Sequence, residues 1–442
     1  MEIQIISQKI VKPSVPTPDN LRNLKISFID HLAPSVSVPL IFYYSANEHK
    51  NFIKSCENLE KSLSEVLTIF YPFAGRFIED DLVVCCNDEG VKYVEAVVDL
   101  CLEDIIEGRL GLELLDCLVP NDDGADHSNS SSRPLVFIQV NTFRCGGVAV
   151  AVRGSHKIAD AVTGMAFINA WASASRVGVH EVIPPSFVLP SKIPVRPSSG
   201  IFKLVPHVDA NSKLVTQRYV FNKNAISALK LKAKAPVGND NSRENANQFW
   251  VSKVEVVSAI IWKALISIAR EKHGHLIPSV MVQNLNLRGR TSPLMPDNTC
   301  GNFYSVATAR STPDQSNIEL HFLVALIRDA IRRTIHGYSK SVLDSDEFFS
   351  TVTSKFNEAR DEMQRPVGES HFIWCSSWCK IPFYEADFGW GKPSWISNAC
   401  RIAEMVTLQD TKSGEGVEAW VTLKGEDMIK FHQDKDVLAF TS

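Results

Sequence analysis

Between Pro184 and Pro206 the chain sets six prolines among modest hydrophobics, at 184, 185, 190, 194, 197 and 206. Proline fixes φ and has no N–H to donate, so this segment holds neither a long helix nor a central strand. It reads as an extended connection between two halves. The full 442 residues exceed what one hydrophobic core ordinarily serves, so two domains are expected. The predicted division is an N-terminal domain over 1–188, a crossover linker over 189–215 and a C-terminal domain over 216–442.

Hydrophobic residues make up 45% of the chain and charged ones 22%, which is ordinary for a soluble globular enzyme. A net charge of −4 creates no global basic field, so nucleic acid is not an expected partner, and a polyanionic cofactor must be met by local basic groups. No uninterrupted apolar run approaches the roughly 18 residues of a membrane span. Met1-Glu2-Ile3-Gln4 opens on an acid rather than a basic, apolar leader. The expectation is a cytoplasmic protein that neither crosses a membrane nor is secreted. Without a leader, the glycosylation sequon Asn129-Ser130-Ser131 reads as a polar loop. Ten cysteines are scattered without the paired spacing of a zinc site, so free thiols and no metal are expected.

Two turn-rich polar segments, Asn121 to Arg133 and Pro236 to Asn247, read as exposed loops. In the first half the residue pattern predicts strands near Ile3–Lys9, Val38–Tyr44, Leu82–Cys86, Lys92–Val98, Leu135–Phe143 and Gly147–Val152, with a helix over Glu48–Leu67. In the second it predicts strands near Thr216–Phe221, Met281–Leu287, Ser376–Pro382, Ala399–Gln409 and Gly416–Leu423. Helices are predicted at Asn222–Ala233, Ser252–Lys272 and Ile318–Tyr338. Strands and helices mix in both halves, so the fold class is α/β: two layered domains, each a mixed sheet with helices, meeting at a cleft.

The chemistry-bearing string is Ser155-His156-Lys157-Ile158-Ala159-Asp160. It follows the β-branched run Gly147 to Val152, and Val162, Met165, Ala166 and Ala170 then recur at helical spacing. His156 therefore sits in a strand-to-helix connection, and Asp160 at a helix start where a carboxylate is favoured. A neutral imidazole accepts a proton near neutral pH. Taken alone, HxxxD is more often a surface histidine beside an N-cap aspartate than a base with the acid that orients it.

Other strings stand beside it: Tyr71-Pro72-Phe73-Ala74-Gly75-Arg76, the run Gln139 to Gly147 (QVNTFRCGG), Asn286-Leu287-Arg288-Gly289-Arg290, Gly301-Asn302 and Asp387-Phe388-Gly389-Trp390-Gly391. Together, and in this order, they resemble the BAHD family of plant acyl-CoA-dependent acyltransferases over essentially the whole chain. The resemblance implies two similar-sized chloramphenicol acetyltransferase-like domains joined by a long crossover loop, with the active site at their interface. It implies an acyltransferase moving groups other than amino-acyl groups, with acyl-CoA as co-substrate, a small-molecule alcohol acceptor and no permanently bound cofactor; two domains within one chain can form the whole cleft, so a monomer is the default expectation.

The same resemblance implies roles position by position. His156 is the general base on the acceptor hydroxyl, and no covalent acyl-enzyme forms. Asp160 points away from the substrate and pairs with Arg288, which makes it a structural residue of the site. Asp387, Gly389 and Gly391 belong to a scaffold loop. Ser376 and Trp378 flank the reacting centre and the oxyanion, while Ser252, Lys253, Asn302 and Tyr304 contact coenzyme A. For Lys253 the plain alternative is an exposed lysine; for Ser376 it is an alternating strand hydroxyl.

Departures narrow the reading. Ala161 follows Asp160 where many members have glycine, which looks more like the branch that includes vinorine synthase and other alkaloid, terpenoid and acylsugar acyltransferases. Lys380 stands where enzymes acting on acidic acceptors tend to have arginine, and Asn141 stands where threonine is usual. The expected function is acyl transfer, most often acetyl, to a hydroxyl of a plant specialised metabolite such as an alkaloid or terpenoid. The alternatives are an acylsugar acyltransferase or amine N-acyltransferase and, outside the class, a thioesterase-like hydrolase or a non-catalytic ligand-binding relative.

Overall fold

The structure is a computed structural model that describes residues 3–46, 52–108, 111–121, 133–196, 213–234, 251–291, 294–313, 318–366, 368–400 and 404–441, with 52–57 described by backbone. The chain divides into two compact units. The first takes Met1–Val205, Met295–Phe303 and Ile381–Cys400; the second takes Pro206–Leu294, Tyr304–Lys380 and Arg401–Ser442.

The sheet of the first unit has the strand order β1 (Ile3–Val11), β6 (Val91–Val98), β7 (Val136–Phe143), β8 (Val148–Ser155), β3 (Ser37–Tyr44), β13 (Trp395–Asn398). Only the β6 and β7 pair is parallel, and the rest are antiparallel. Val148 to Val152 is buried on both faces of β8, which is why that strand reads as a continuous apolar run rather than an alternation. A small sheet of β2 (Asn23–Lys25), β5 (Val83–Cys85) and β4 (Arg76–Ile78) lies in the same unit. The helices are α1 (Phe28–Leu32), α2 (Phe52–Ile69), α3 (Leu102–Ile106), α4 (Ala161–Val177) and α5 (Leu189–Lys192). Leu59, Leu63, Val66 and Leu67 form the buried stripe of α2, which packs against α4, and the Trp171 indole donates to the Leu59 carbonyl at 2.9 Å.

The second unit carries a sheet in the order β11 (Tyr304–Ser311), β10 (Ser279–Asn286), β12 (His371–Ser377), β14 (Met405–Asp410), β15 (Val417–Lys424), β9 (Leu214–Phe221). Its β10, β12 and β14 run parallel and its other pairs antiparallel. Around it lie α6 (Lys223–Lys232), α7 (Lys253–His273), α8 (Leu320–Lys340), α9 (Asp346–Met363), α10 (Gly425–His432) and α11 (Lys435–Leu438). Val256 to Trp262 of α7 are all buried, so this helix is apolar nearly all round and forms the centre of that unit's core. Each unit is thus a mixed sheet with helices, the α/β class expected from the sequence.

Several details differ from the sequence reading. The units are discontinuous: β13 pairs with β3, and this draws residues 381–400, including Asp387 to Gly391, into the unit that carries His156 rather than into a C-terminal domain. The strand expected at Ser376–Pro382 is instead His371–Ser377, because Lys380 turns into the left-handed region at φ +70° and Pro382 brings no donor. Within the run Ala399–Gln409 the described strand is β14, from Met405, while β13, which was not expected, ends just before the run at Asn398 and belongs to the other sheet. Strand β11 and helices α9 and α10 were not foreseen. The loop over 236–247, most of 121–133, and residues 197–212 of the crossover lie outside the described residues. So does Glu48, and the helix expected from there is described from Phe52.

Among the described residues no helix is long and apolar enough to cross a membrane, and no group of three His, Cys, Asp or Glu side chains could hold a metal ion.

Candidate active site

Strand β8 ends at Ser155, and the next residue is anchored at once: the His156 N–H donates to the Val36 carbonyl at 2.8 Å. Four residues later Asp160 is the N-cap of α4. Its Oδ1 accepts from the Thr163 N–H at 2.9 Å, supplying one of the orphan donors at a helix start. Its Oδ2 accepts from the Phe303 N–H at 3.1 Å, so one carboxylate ties the helix start to the segment that precedes β11. Asp160 is therefore a brace of the turn in the first unit.

That segment is fastened at three consecutive residues. Gly301 exchanges two hydrogen bonds with the Thr163 hydroxyl, accepting at 2.9 Å and donating at 3.1 Å. Its φ of +116° is one that side chains resist, so glycine is favoured there, and a Cβ would sit 2.9 Å from Leu189 Cδ1, which would have to shift. Asn302 is fully buried. Its Nδ2 donates to the His156 carbonyl at 2.7 Å and to Asp30 Oδ1 at 2.8 Å, and its backbone N–H donates to the same Asp30 oxygen at 2.7 Å. The other Asp30 oxygen accepts from the Ser27 N–H at 2.9 Å and the Ser27 hydroxyl at 2.6 Å, as the acidic half of the capping box of α1.

Lys157 completes the cluster from below. Its buried ammonium donates to the carbonyls of Ala33 at 2.5 Å, His31 at 3.1 Å and Asp30 at 3.4 Å, acceptors at the C-terminal end of α1. Burial lowers its pKa from 10.5 to about 8, opposed by the nearby Asp30 charge. Burial also lowers the His156 imidazole below its ordinary 6.5. A hydrogen bond to its own backbone carbonyl, the Asp160 charge and the Asn302 side chain oppose that shift, and the Lys157 charge adds to it. The net result is a ring that is neutral at physiological pH and able to accept a proton.

The sequence reading assigned Asn302 to coenzyme A. The structure corrects this: with no exposed surface and both amide hydrogens given to protein acceptors, Asn302 has an internal role. Asp30, Ser27 and Lys157 were missed. The visible signal was Ser27-x-x-Asp30, a capping-box spacing.

The Asp387 to Gly391 loop lies in the same unit. Asp387 Oδ1 accepts from the N–H groups of Gly389 at 2.8 Å and Gly391 at 2.9 Å, and Oδ2 faces Arg176 at 3.9 Å. Phe388 packs edge-on against Trp171 and Tyr44, and the Tyr44 hydroxyl donates to the Ala386 carbonyl at 2.6 Å. These contacts fold the loop on itself and onto α4 and β3. The Gln139 to Gly147 run is likewise internal: Gln139 Nε2 donates to Asn141 Oδ1 at 2.8 Å, and Asn141 Nδ2 to the Leu118 carbonyl at 2.9 Å. In the Tyr71 to Arg76 string, the Arg76 guanidinium donates to the carbonyls of Gly75 and Gly90 at 2.8 and 2.9 Å and pairs with Glu89.

Ser252, Lys253, Arg288, Tyr304, Ser376 and Trp378 belong to the second unit. Ser252 forms a capping box with Glu255 at the start of α7. The Lys253 ammonium pairs with Asp410 at 2.7 Å and donates to the Gly414 carbonyl at 2.5 Å, which fastens α7 to the hairpin between β14 and β15. Arg288, just past β10, donates from its N–H and Nη1 to Asn286 Oδ1. Ser376 is buried near the end of β12 and accepts from Asn284 Nδ2 at 3.4 Å. Trp378 follows the strand, its N–H donating to the Leu408 carbonyl at 2.7 Å, and Tyr304 opens β11 with its ring tilted against Phe356.

Comparison with known proteins gives these residues a context. The sequence profile of the Transferase family matches residues 1–438. The chain is 34% identical over 442 residues to limonoid 21-O-acetyltransferase of Melia azedarach, covering 100% of this chain and 99% of that protein. It is also 34% identical to acetyl-CoA-benzylalcohol acetyltransferase of Clarkia breweri, over the whole length of both. Among solved structures, vinorine synthase superposes with a TM-score of 0.80 at 30% identity, covering 100% of this chain and 99% of that one.

Proposed function

The chain belongs to the Transferase family, the BAHD acyl-CoA-dependent acyltransferases, and on that premise we propose a specific reaction for it. It is an acyl-CoA-dependent O-acyltransferase of plant specialised metabolism, with the acyl-CoA as co-substrate and a small-molecule alcohol as acceptor. Acetyl is the proposed acyl group, supported by the names of the two acetyltransferase relatives, and an alkaloid or terpenoid is the proposed class of acceptor. We place the reaction in the cytosol.

The observation that carries the reading is the position of His156. Its ring is neutral, it stands at the end of a buried strand, and its main chain is fixed on both sides by Val36 and Asn302. In the proposed reaction the far ring nitrogen, Nε2, takes the proton of the acceptor hydroxyl as its oxygen bonds to the thioester carbonyl carbon. The tetrahedral oxyanion collapses, the carbon–sulfur bond breaks, and the departing thiolate takes the proton back from the imidazolium. The products are an ester and free coenzyme A. The expected help comes from Ser376 and Trp378 at the oxyanion, and from Ser252, Lys253 and Tyr304 at the coenzyme, with the Lys253 ammonium shared with Asp410. Arg288 is the proposed partner of the Asp160 carboxylate.

The test is incubation with a panel of acyl-CoAs and alcohols followed by mass spectrometry. Ester formed from acetyl-CoA, with thiol release dependent on the alcohol, is expected. Thiol release as fast without any acceptor would make the protein a hydrolase and overturn the reading.

A further inference from the structure

We propose that Asp30 and Asn302 are a positioning pair for the catalytic base: they set the His156 ring by fixing the backbone carbonyl toward which that ring turns. The inference rests on the acyl-transfer reading and adds two residues to it, neither of which touches the reacting atoms.

A histidine ring that faces its own backbone carbonyl does so with the nearer nitrogen, Nδ1, as the donor, so that nitrogen holds the hydrogen and Nε2 is left with the lone pair. The tautomer then depends on that carbonyl and on the Asn302 side chain, which also acts on the imidazole. That carbonyl lies in the turn between β8 and α4, outside both elements, and Asn302 Nδ2 reaches it at 2.7 Å. The orientation of the Asn302 amide is unambiguous, because Nδ2 faces two acceptors, the His156 carbonyl and Asp30 Oδ1. An amide flipped the other way would set oxygen against oxygen at both.

Asp30 in turn is locked. Each of its oxygens receives two donors: Asn302 N and Nδ2 on one, Ser27 N and Oγ on the other. It is buried, and burial raises its pKa against the lowering effect of those four hydrogen bonds. A buried carboxylate held this way, three residues into a five-residue helix, is expensive to keep unless it serves something beyond a cap. The Lys157 ammonium on the Asp30 carbonyl joins the same helix to the residue after His156, so the base is referenced to α1 from both sides. Small displacements of a base cost about 10²-fold in rate, which is the scale this pair controls.

The test uses Asn302→Ala, Asp30→Asn and the exchanged pair Asp30→Asn/Asn302→Asp in the full-length protein, with steady-state kinetics, melting temperature and histidine nitrogen NMR. Asn302→Ala is expected to lower kcat about 10²-fold while the KM for acyl-CoA stays within about twofold, since the hydrogen bond it removes holds the base and not the donor. If it does not fold, Asp30→Asn keeps the shape, removes the charge and turns one doubly accepting oxygen into an N–H donor, and is expected to lower kcat in the same direction. The exchanged pair restores a donor and an acceptor to each other but faces the His156 carbonyl with a carboxylate; it should recover melting temperature and not kcat. The His156 signals should report Nδ1–H in the wild type and a mixture of tautomers in Asn302→Ala. A folded Asn302→Ala with wild-type kcat, a rise confined to the KM for acyl-CoA, or an exchanged pair whose kcat recovers with its stability would each overturn the proposal. A wild-type protein that transfers no acyl group would instead sink the functional reading, and the tautomer spectra would still decide the positioning role.

Discussion

Burial penalises the His156 imidazolium more than Asp160 and the surrounding acceptors stabilise it, so the ring releases its proton below pH 6.5. As the proposed base, His156 acts when neutral, so the sign of the pH dependence follows: activity is present above the folded-state pKa and is lost as pH falls through it. We expect kcat/KM to decline as pH falls, with its midpoint below the 6.5 of an ordinary imidazole. A decline centred above 6.5 would show that the ring is charged more easily than its surroundings imply. Lys157 follows the same depressed-pKa pattern at higher pH. Its ammonium gives up its proton near pH 8 in the fold and near 10.5 when unfolded, so its contribution to folding becomes more favourable as pH rises across that interval. Neither Lys157 nor Asp30 was legible as part of the site in the sequence. Asp30 is 126 residues from His156, and only the fold brings α1 beneath the turn.

The elements around the site explain which strings could be read in advance. The Gly147 to Val152 run and the spacing after Asp160 announced β8 and α4 because a strand buried on both faces is uniformly apolar and an N-cap aspartate is a local signal. Where a local turn overrides composition, the reading slipped. Asn398 Oδ1 accepts from the Cys400 N–H at 2.7 Å, a local turn just past the end of β13, so the strand expected from Ala399 is described only from Met405. The Tyr71 to Arg76 string carries no chemistry; its glycine answers to the small sheet. A Cβ on Gly75 would collide with the Cys85 carbonyl oxygen, backbone that cannot give way. Gly75→Ala is therefore expected to cost about 1–3 kcal/mol, read as a lower melting temperature. An unchanged melting temperature would mean that the strands part without penalty.

At the scale of the molecule, the two mixed sheets were legible as a class and their membership was not. Composition, periodicity and the proline-rich crossover pointed to two α/β units. The sequence could not show that β13, far along the chain, completes the sheet beside β3, because strand pairing over such separations leaves no local trace. That pairing brings the Asp387 loop into the unit of His156, where its aspartate and rings serve packing. In the proposed reaction the residues thus fall into one catalytic group, His156, and several that hold its turn: Asp160 and Asn302 at the turn, Asp30 and Lys157 beneath it. The account stands on His156 alone performing the proton transfer. Its most direct test is the turnover of His156→Ala beside its affinity for coenzyme A measured by calorimetry. The account predicts that turnover drops by about 10²- to 10⁴-fold while coenzyme A binds as to the wild type. An His156→Ala protein that turns over at the wild-type rate would contradict it.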